Sequence, residues 1–374
     1  MPSGVGAFLS KRAPLCFVNF RNAVKIMLKF TIRLFIILAP LTSICLAQVQ
    51  LENPDIIGEE EQKIVQTRQM MGTWAEITVY SQDVKSANIA IDSAFDAMTA
   101  VNGLMSAYNQ DSEISEINRQ AGKKPVSVSP QTFFVVKSAI YYSEISDGAF
   151  DITISPLVRS WGFFRKQGRI PPQEEIDQQL ALVNYKLIEL DSERNRIKLL
   201  KNGMALDLGG IAKGYAVDQA IEKLRASKVE NVLVNLSGNM YAMGHPKDKE
   251  AWHIGIRHPR QKDNLLGFLK LKEKAIATSG DYEKYFIHEG KRYSHIINPR
   301  TGHPVSGIAS VTIIAPTAMK ADALSTAVFV LGAEKGFQLI KSKDGVEGII
   351  VQIDDKEELS FVMSEGFKKR FISY

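Results

Sequence analysis

Every cysteine and the whole surplus of positive charge lie at one end of this chain. Residues 1–47 hold Cys16 and Cys45 and six basic residues: Lys11, Arg12, Arg21, Lys25, Lys29 and Arg33. They hold no acid. The whole 374 residues carry 46 Lys and Arg against 41 Asp and Glu, so the remaining 327 residues have a net charge of −1 and no thiol. That stretch must fold without disulfides and without cysteine-bound zinc. A hydrophobic core has to hold it, and 45% apolar with 23% charged residues is the composition of a soluble globular protein. Disorder, collagen and a polytopic membrane protein are excluded for the chain as a whole. The length allows one large domain or two of common size.

The first 47 residues read as a secretory signal. Basic residues precede the run Leu34–Ala47, LFIILAPLTSICLA, which is short for a membrane span of ~20 residues. Small residues at Cys45 and Ala47 place the cut after Ala47. Met27 would start a compact signal by itself. A lipoprotein acylated at Cys45, tethered to the inner membrane, ranks second, because Ile44 makes a poor lipobox. An uncleaved anchor ranks third. The expected location is therefore the periplasm. The basic charge belongs to export, which leaves the mature chain without the basic stripe of a nucleic-acid binder.

Residues 48–67 are polar, with three acids at 59–61, and read as a tether before a domain spanning 68–374. The alternation of Ala75, Ile77 and Val79 predicts a strand over 71–80. Ile91, Ala94, Phe95, Met98, Val101 and Met105 form a helical stripe. Residues 106–118 read as a polar loop, 130–146 as a helix, 148–158 as a strand and 162–180 as a surface excursion. Residues 204–208 and 231–239 are strand candidates around a helix at 211–226. A hairpin turns at Glu289-Gly290, 309–315 is a buried strand, and 319–341 is a helix weakened at Gly332 and Gly336. A hairpin of 347–354 and 359–364 closes the chain. Strands and helices mix without strict alternation, so the class is α+β: mixed, largely antiparallel sheets with packed helices.

Several segments carry chemistry. DLGGIAKG (207–214) joins a strand end, a double glycine and a helix start, where free N–H groups and Lys213 suit a phosphate or carboxylate. A plain tight turn with a solvated lysine is equally open. Asp322 and Thr326 share a helix face near its start and suit a hard cation such as Mg²⁺, with Ser325 assisting. Helix capping is the simpler reading of that aspartate. His295 lies at a strand end and is a candidate proton shuttle. Asp151 either holds a ligand hydroxyl or caps a turn; Tyr108 either stacks on a flat ring or joins the core. No Walker A, Rossmann or G-x-S-x-G pattern occurs.

The segments MGT (71–73), SAYNQDSEIS (106–115), GAFDIT (148–153), LDLGGIAKGYAVD (206–218), VNLSGN (234–239), HIINPRTG (295–302) and DALSTA (322–327) occur in this order. Together they closely resemble the ApbE family of FAD:protein FMN transferases, over roughly residues 65–365. The resemblance implies a T-fold-like α+β architecture and Mg²⁺-dependent transfer of the FMN half of FAD to a Thr or Ser hydroxyl of another protein, with release of AMP. It implies Mg²⁺ held by the backbone carbonyl of Gly210 and the side chains of Asp322 and Thr326. It implies FAD contacts at Met71, Tyr108, Ala149, Phe150, Asp151, Asp207, Lys213, His295 and Ile297. The family's usual aspartate after the two isoleucines is Asn298 here, and its frequent alanine is replaced in the pair Gly209-Gly210.

The same parts would serve a Mg²⁺-dependent FAD pyrophosphatase giving FMN and AMP, or a flavin-binding protein without catalysis. The Asp322/Thr326 pair weighs against mere storage. The chain holds no Asp-x-x-Ser/Thr-Gly-Ala segment of the kind the family modifies, so the expected partner is a separate protein, of the kind that carries flavin in membrane redox complexes.

Overall fold

The computed structural model describes residues 60–165 and 167–373. The expectations for the signal, Met27 and Cys45 lie outside the described residues. An alternating hairpin begins the described part: β1 (Gln62–Met70) and β2 (Thr73–Ser81) pair antiparallel around Met71-Gly72. Both turn residues have positive φ, 49° and 72°, as the tight turns that match strand twist require. β1 starts inside the stretch expected to be a tether. Its residues alternate exposed and half-buried, and Ile64 and Met70 pack on the core. An edge strand needs no more apolar content than that.

Helix α1 (Val84–Met105) is capped by Asp83 and buries the expected stripe. α2 (Glu113–Arg119) occupies the end of the expected loop. Ser112 accepts the N–H of Ser115 there, and Ile114 and Ile117 supply buried contacts too few for a sequence periodicity to register. Then come β3 (Val126–Ser127) and α3 (Pro130–Ile145), the helix with proline at its first position. Residues 148–158 are not a strand. α4 (Ser155–Ser160) starts there, because Pro156 suits a helix's first turn. α5 (Gln173–Leu180) gives the expected surface excursion a helix anchored by buried Ile176. β4 (Ile188–Asp191) and β5 (Arg196–Leu199) form a small sheet with β3.

The remaining elements are α6 (Ala212–Ala226), β6 (Asn231–Leu236), β7 (Asn239–Met243), β8 (Trp252–Arg257), β9 (Leu265–Leu271) and β10 (Lys274–Gly280). β11 (Tyr285–His288) and β12 (Lys291–Ser294) form the expected hairpin, with positive φ at Glu289 and Gly290. β13 (Ile308–Ala315), α7 (Ala318–Lys341), β14 (Glu347–Ile353), β15 (Leu359–Met363), α8 (Glu365–Lys368) and β16 (Phe371–Ser373) finish the chain. α7 is interrupted at Gly332, where φ is 78°.

The central sheet has the order β1-β2-β6-β7-β10-β13-β14-β15 and is antiparallel throughout. One face carries Ile77, Val234, Ala277 and Val311 against Phe95 and Met98 of α1, Val217 and Ala220 of α6 and Leu324 and Val328 of α7. The other face carries Ile276, Ile314 and Val351 against Trp252, Ile254 and Leu269 of the sheet β16-β9-β8. The class is α+β as expected. The registers place the β1–β2 turn, the β6–β7 turn, the end of β10 and the start of β13 at one end of the central sheet. The candidate site forms at that end.

Candidate active site

The glycine turn is held by one local and one long-range hydrogen bond. Asp207 Oδ1 accepts the Gly209 N–H at 2.7 Å, and the Asp207 N–H donates to the Ile152 carbonyl at 2.8 Å. Residues 204–208 contribute only an isolated bridge, Ala205 to Ile154, in place of the expected strand, because this ladder is not continued on either side. α6 follows, so Lys213 falls in its first turn. Gly214 then lets two backbones touch: a Cβ there would lie 2.2 Å from the Ala318 carbonyl oxygen. Asp218 fastens the same contact, its two oxygens accepting the N–H groups of Ala318 and Met319 at 2.7 and 2.9 Å. The starts of α6 and α7 are thereby locked together.

This contact sets Lys213 against Asp322. Asp322 is only 4% exposed; one oxygen accepts the Gly214 N–H at 2.9 Å. Its other oxygen lies 3.6 Å from Lys213 Nζ, which itself donates to the Gly209 carbonyl at 2.8 Å. Burial pushes the Asp322 pKa up, and Lys213 and the Gly214 N–H pull it back. Helix capping does not account for Asp322, since Thr317 caps α7. Thr326 follows one turn later. A Cβ added at Gly210 would lie 3.2 Å from Thr326 Oγ1 and 3.1 Å from the edge of Phe150, so only a small residue fits there. Ser325 donates to the Asp322 carbonyl at 2.9 Å. Carboxylate, hydroxyl and turn backbone thus converge as oxygen donors. A buried carboxylate that accepts one N–H and meets an ammonium at 3.6 Å, beside a hydroxyl, is a set that a hard cation would complete.

His295 approaches from β12. Its N–H donates to the Lys284 carbonyl at 2.9 Å, and its Nδ1 lies 3.1 Å from that same oxygen. A carbonyl only accepts, so Nδ1 carries the proton and Nε2 is left as an acceptor. The half-buried ring meets Phe163 edge-on at 6.5 Å. Burial, with Lys284 and then Lys213 nearby, pushes its pKa down to about 4. The imidazole is therefore neutral at pH 7 and able to take a proton.

The other expected positions fall as follows. Tyr108 is 58% exposed and stacks on Phe164 at 4.3 Å, with Arg159 over the far face of that pair. Burial and then the charge of Asp207 raise its pKa, which puts both residues in one neighbourhood. Ala149 and Phe150 are buried beside the turn, the Phe150 N–H donating to Ser146 Oγ. Asp151 caps a turn: its oxygens accept from the Thr153 N–H and hydroxyl and from the Tyr185 N–H. Met71 occupies the β1–β2 turn and Ile297 is buried beside Trp161. Asn298 accepts the Arg300 N–H at 2.9 Å and so holds the turn that follows it.

Sequence reading missed Ser279. It hydrogen-bonds Ser325 at 2.8 Å and Thr326 at 3.3 Å, across 46 and 47 residues. It also missed the ion pair of Arg260 with Asp281, which braces the segment leading to Lys284. No periodicity marks either. The one signal was the run Thr278-Ser279-Gly280-Asp281 at a strand end.

The ApbE family model matches residues 71–350. A Klebsiella pneumoniae protein named FAD:protein FMN transferase is 34% identical over 75% of this chain and 87% of its own. A crystal structure of the Thermotoga maritima ApbE protein superposes with a TM-score of 0.76 at 35% identity, over 83% of this chain and 99% of that one. The flavin transferase ApbE of Vibrio cholerae superposes with a TM-score of 0.73 at 30% identity, again over 83% and 99%.

Proposed function

The chain belongs to the ApbE family, and we propose that it transfers the FMN half of FAD to a Ser or Thr hydroxyl of a separate protein. The observation that carries this is the convergence of Lys213, Asp322 and Thr326 with a neutral His295 at one end of the sheet. Lys213 has two roles available. It neutralises Asp322, and it presents an ammonium to a pyrophosphate oxygen beside the first turn of α6. Tyr108 offers an exposed aromatic face to a flat ring, and the charge of Asp207 reaches it.

The chemistry is a phosphoryl transfer. The acceptor hydroxyl oxygen forms a bond to the FMN-side phosphorus, the bond from that phosphorus to the bridging oxygen breaks, and AMP leaves. The hydroxyl proton goes to His295 Nε2, which its Lys284 contact keeps unprotonated. Asp322, Thr326 and the Gly210 backbone, supported by Ser325, would hold Mg²⁺. When bound, this ion supplies positive charge against the phosphate oxygens of the transition state. The chain acts after export, with residues 1–47 as its signal.

The experiment is AMP release from FAD by the purified chain, with and without an acceptor protein. Release that requires the acceptor supports the transferase. Release at the same rate without it, with free FMN as the second product, makes the protein a hydrolase.

A further inference from the structure

A separate opening is walled by the segments that continue from His295 and from Thr326. It is a cavity of about 610 Å³, within the roughly 300–1,000 Å³ of ligand clefts. One wall is the loop that starts at Asn298, three residues after His295, and continues through Ser306. The other is α7 from Val330 to Ala333, and Val330 stands one turn after Thr326 on the same face. Gln352 of β14 closes it. Each of the two main walls is thus the continuation of a segment that carries a site residue, His295 in one case and Thr326 in the other.

Two features say what it takes. Among the residues that line it there is no Lys, Arg, Asp or Glu. A phosphate or an adenylate would find no Lys or Arg there, whereas a neutral polar segment would find the amides of Asn298 and Gln352, the hydroxyls of Thr301 and Ser306, the His303 ring and backbone as partners. The helical wall is also broken. Gly332 has φ 78°, and a Cβ added there meets nothing within 4 Å, so its backbone faces open space. A helix end leaves carbonyls that the helix itself does not satisfy, and these can accept N–H groups from an extended chain.

We propose that this cleft, between the 298–306 loop and the Gly332 break of α7, binds the hydroxyl-bearing segment of the acceptor protein. It holds the uncharged residues around the acceptor hydroxyl in an extended conformation, with the hydroxyl directed toward His295 and the acidic residue of the segment outside the cleft. This assignment rests on the transferase reading above and adds the surface that receives the protein substrate.

The test uses the purified full chain, FAD, Mg²⁺ and a synthetic peptide of the Asp-x-x-Thr-Gly-Ala type. Ser306→Trp fills the cleft from the exposed loop, and Ala333→Trp fills it from the helix. Each should raise the peptide KM about tenfold or more while FAD binding, followed by flavin fluorescence, stays as in the unaltered chain. Circular dichroism and FAD binding show whether each variant is folded, and two variants on opposite walls guard against one that is not. Unchanged peptide KM in both folded variants overturns the cleft assignment and leaves the transferase reading standing. Weakened FAD binding with an unchanged peptide KM assigns the cavity to the flavin and overturns it too. No modification of the peptide, or of an intact acceptor protein, by the unaltered chain defeats the transferase reading, and the cleft assignment falls with it.

Discussion

His295 provides a quantitative test, because its surroundings fix its protonation. Burial and the charges of Lys284 and Lys213 lower its pKa from an ordinary value of about 6.5 to about 4. At pH 5 a group of pKa 4 is about 10% protonated, while one of pKa 6.5 is about 97% protonated. If transfer needs the neutral ring, the fraction of competent enzyme at pH 5 differs about 30-fold between the two cases. The direct assay follows the His295 ring resonances by NMR over pH 3.5–8, assigned by their loss in His295→Gln. In parallel, kcat/KM for FAD is measured at saturating Mg²⁺, since it reports the free enzyme. The expected titration midpoint lies near 4. Lys284→Met removes one charge and keeps the backbone carbonyl, so the midpoint should rise but remain below 6.5. A midpoint near 6.5 in the unaltered chain, or no movement in Lys284→Met, would refute the electrostatic account. Linkage has the matching sign. Between pH 4 and 6.5 the unfolded chain binds more protons at this residue, so its contribution to stability is lost as pH falls through that window.

Further outcomes follow from the same geometry. Gly214→Ala places a Cβ 2.2 Å from the Ala318 carbonyl, and thermal unfolding should show a loss of about 3 kcal/mol or no folded protein. Ser279→Ala removes the hydroxyl that touches Ser325 and Thr326; isothermal titration should show Mg²⁺ affinity falling about 10- to 100-fold while the fold is kept. Asp218, buried against the start of α7, has its pKa raised to about 6, so the folded state holds its proton over pH 4–6 and stability from this group falls as pH rises through that range. Lowering the pH from 7 to 5 should therefore stabilise the unaltered chain relative to Asp218→Asn by on the order of 1 kcal/mol, read from urea midpoints.

The parts of this fold legible in the sequence are those with strong periodicity or turn chemistry. The α1 stripe, the Glu289-Gly290 hairpin and buried β13 each carry a local signal of several residues, and the weak point at Gly332 is marked by the glycine itself. The misreadings share a cause. Residues 148–158 alternate like a strand, but no neighbouring ladder is available to them and Pro156 starts a helix. β1 looks like a polar tether because only Ile64 and Met70 of its inward residues are apolar, and its pairing partner supplies the order. The candidate site divides in the same way. Lys213, Asp322 and Thr326 sit in segments whose residue types suggest their chemistry. The tautomer of His295 depends on a carbonyl eleven residues away, and Ser279 reaches α7 only because β10 lies beneath it. Such contacts are made by tertiary structure, and no spacing in the chain announces them.

The decisive measurement for FMN transfer is the intact mass of an acceptor protein after incubation with the purified chain, FAD and Mg²⁺. The acceptor should gain the mass of FMN less one water on a single Ser or Thr, with one AMP released per acceptor modified. An acceptor of unchanged mass beside free FMN and AMP, or beside intact FAD, would contradict FMN transfer.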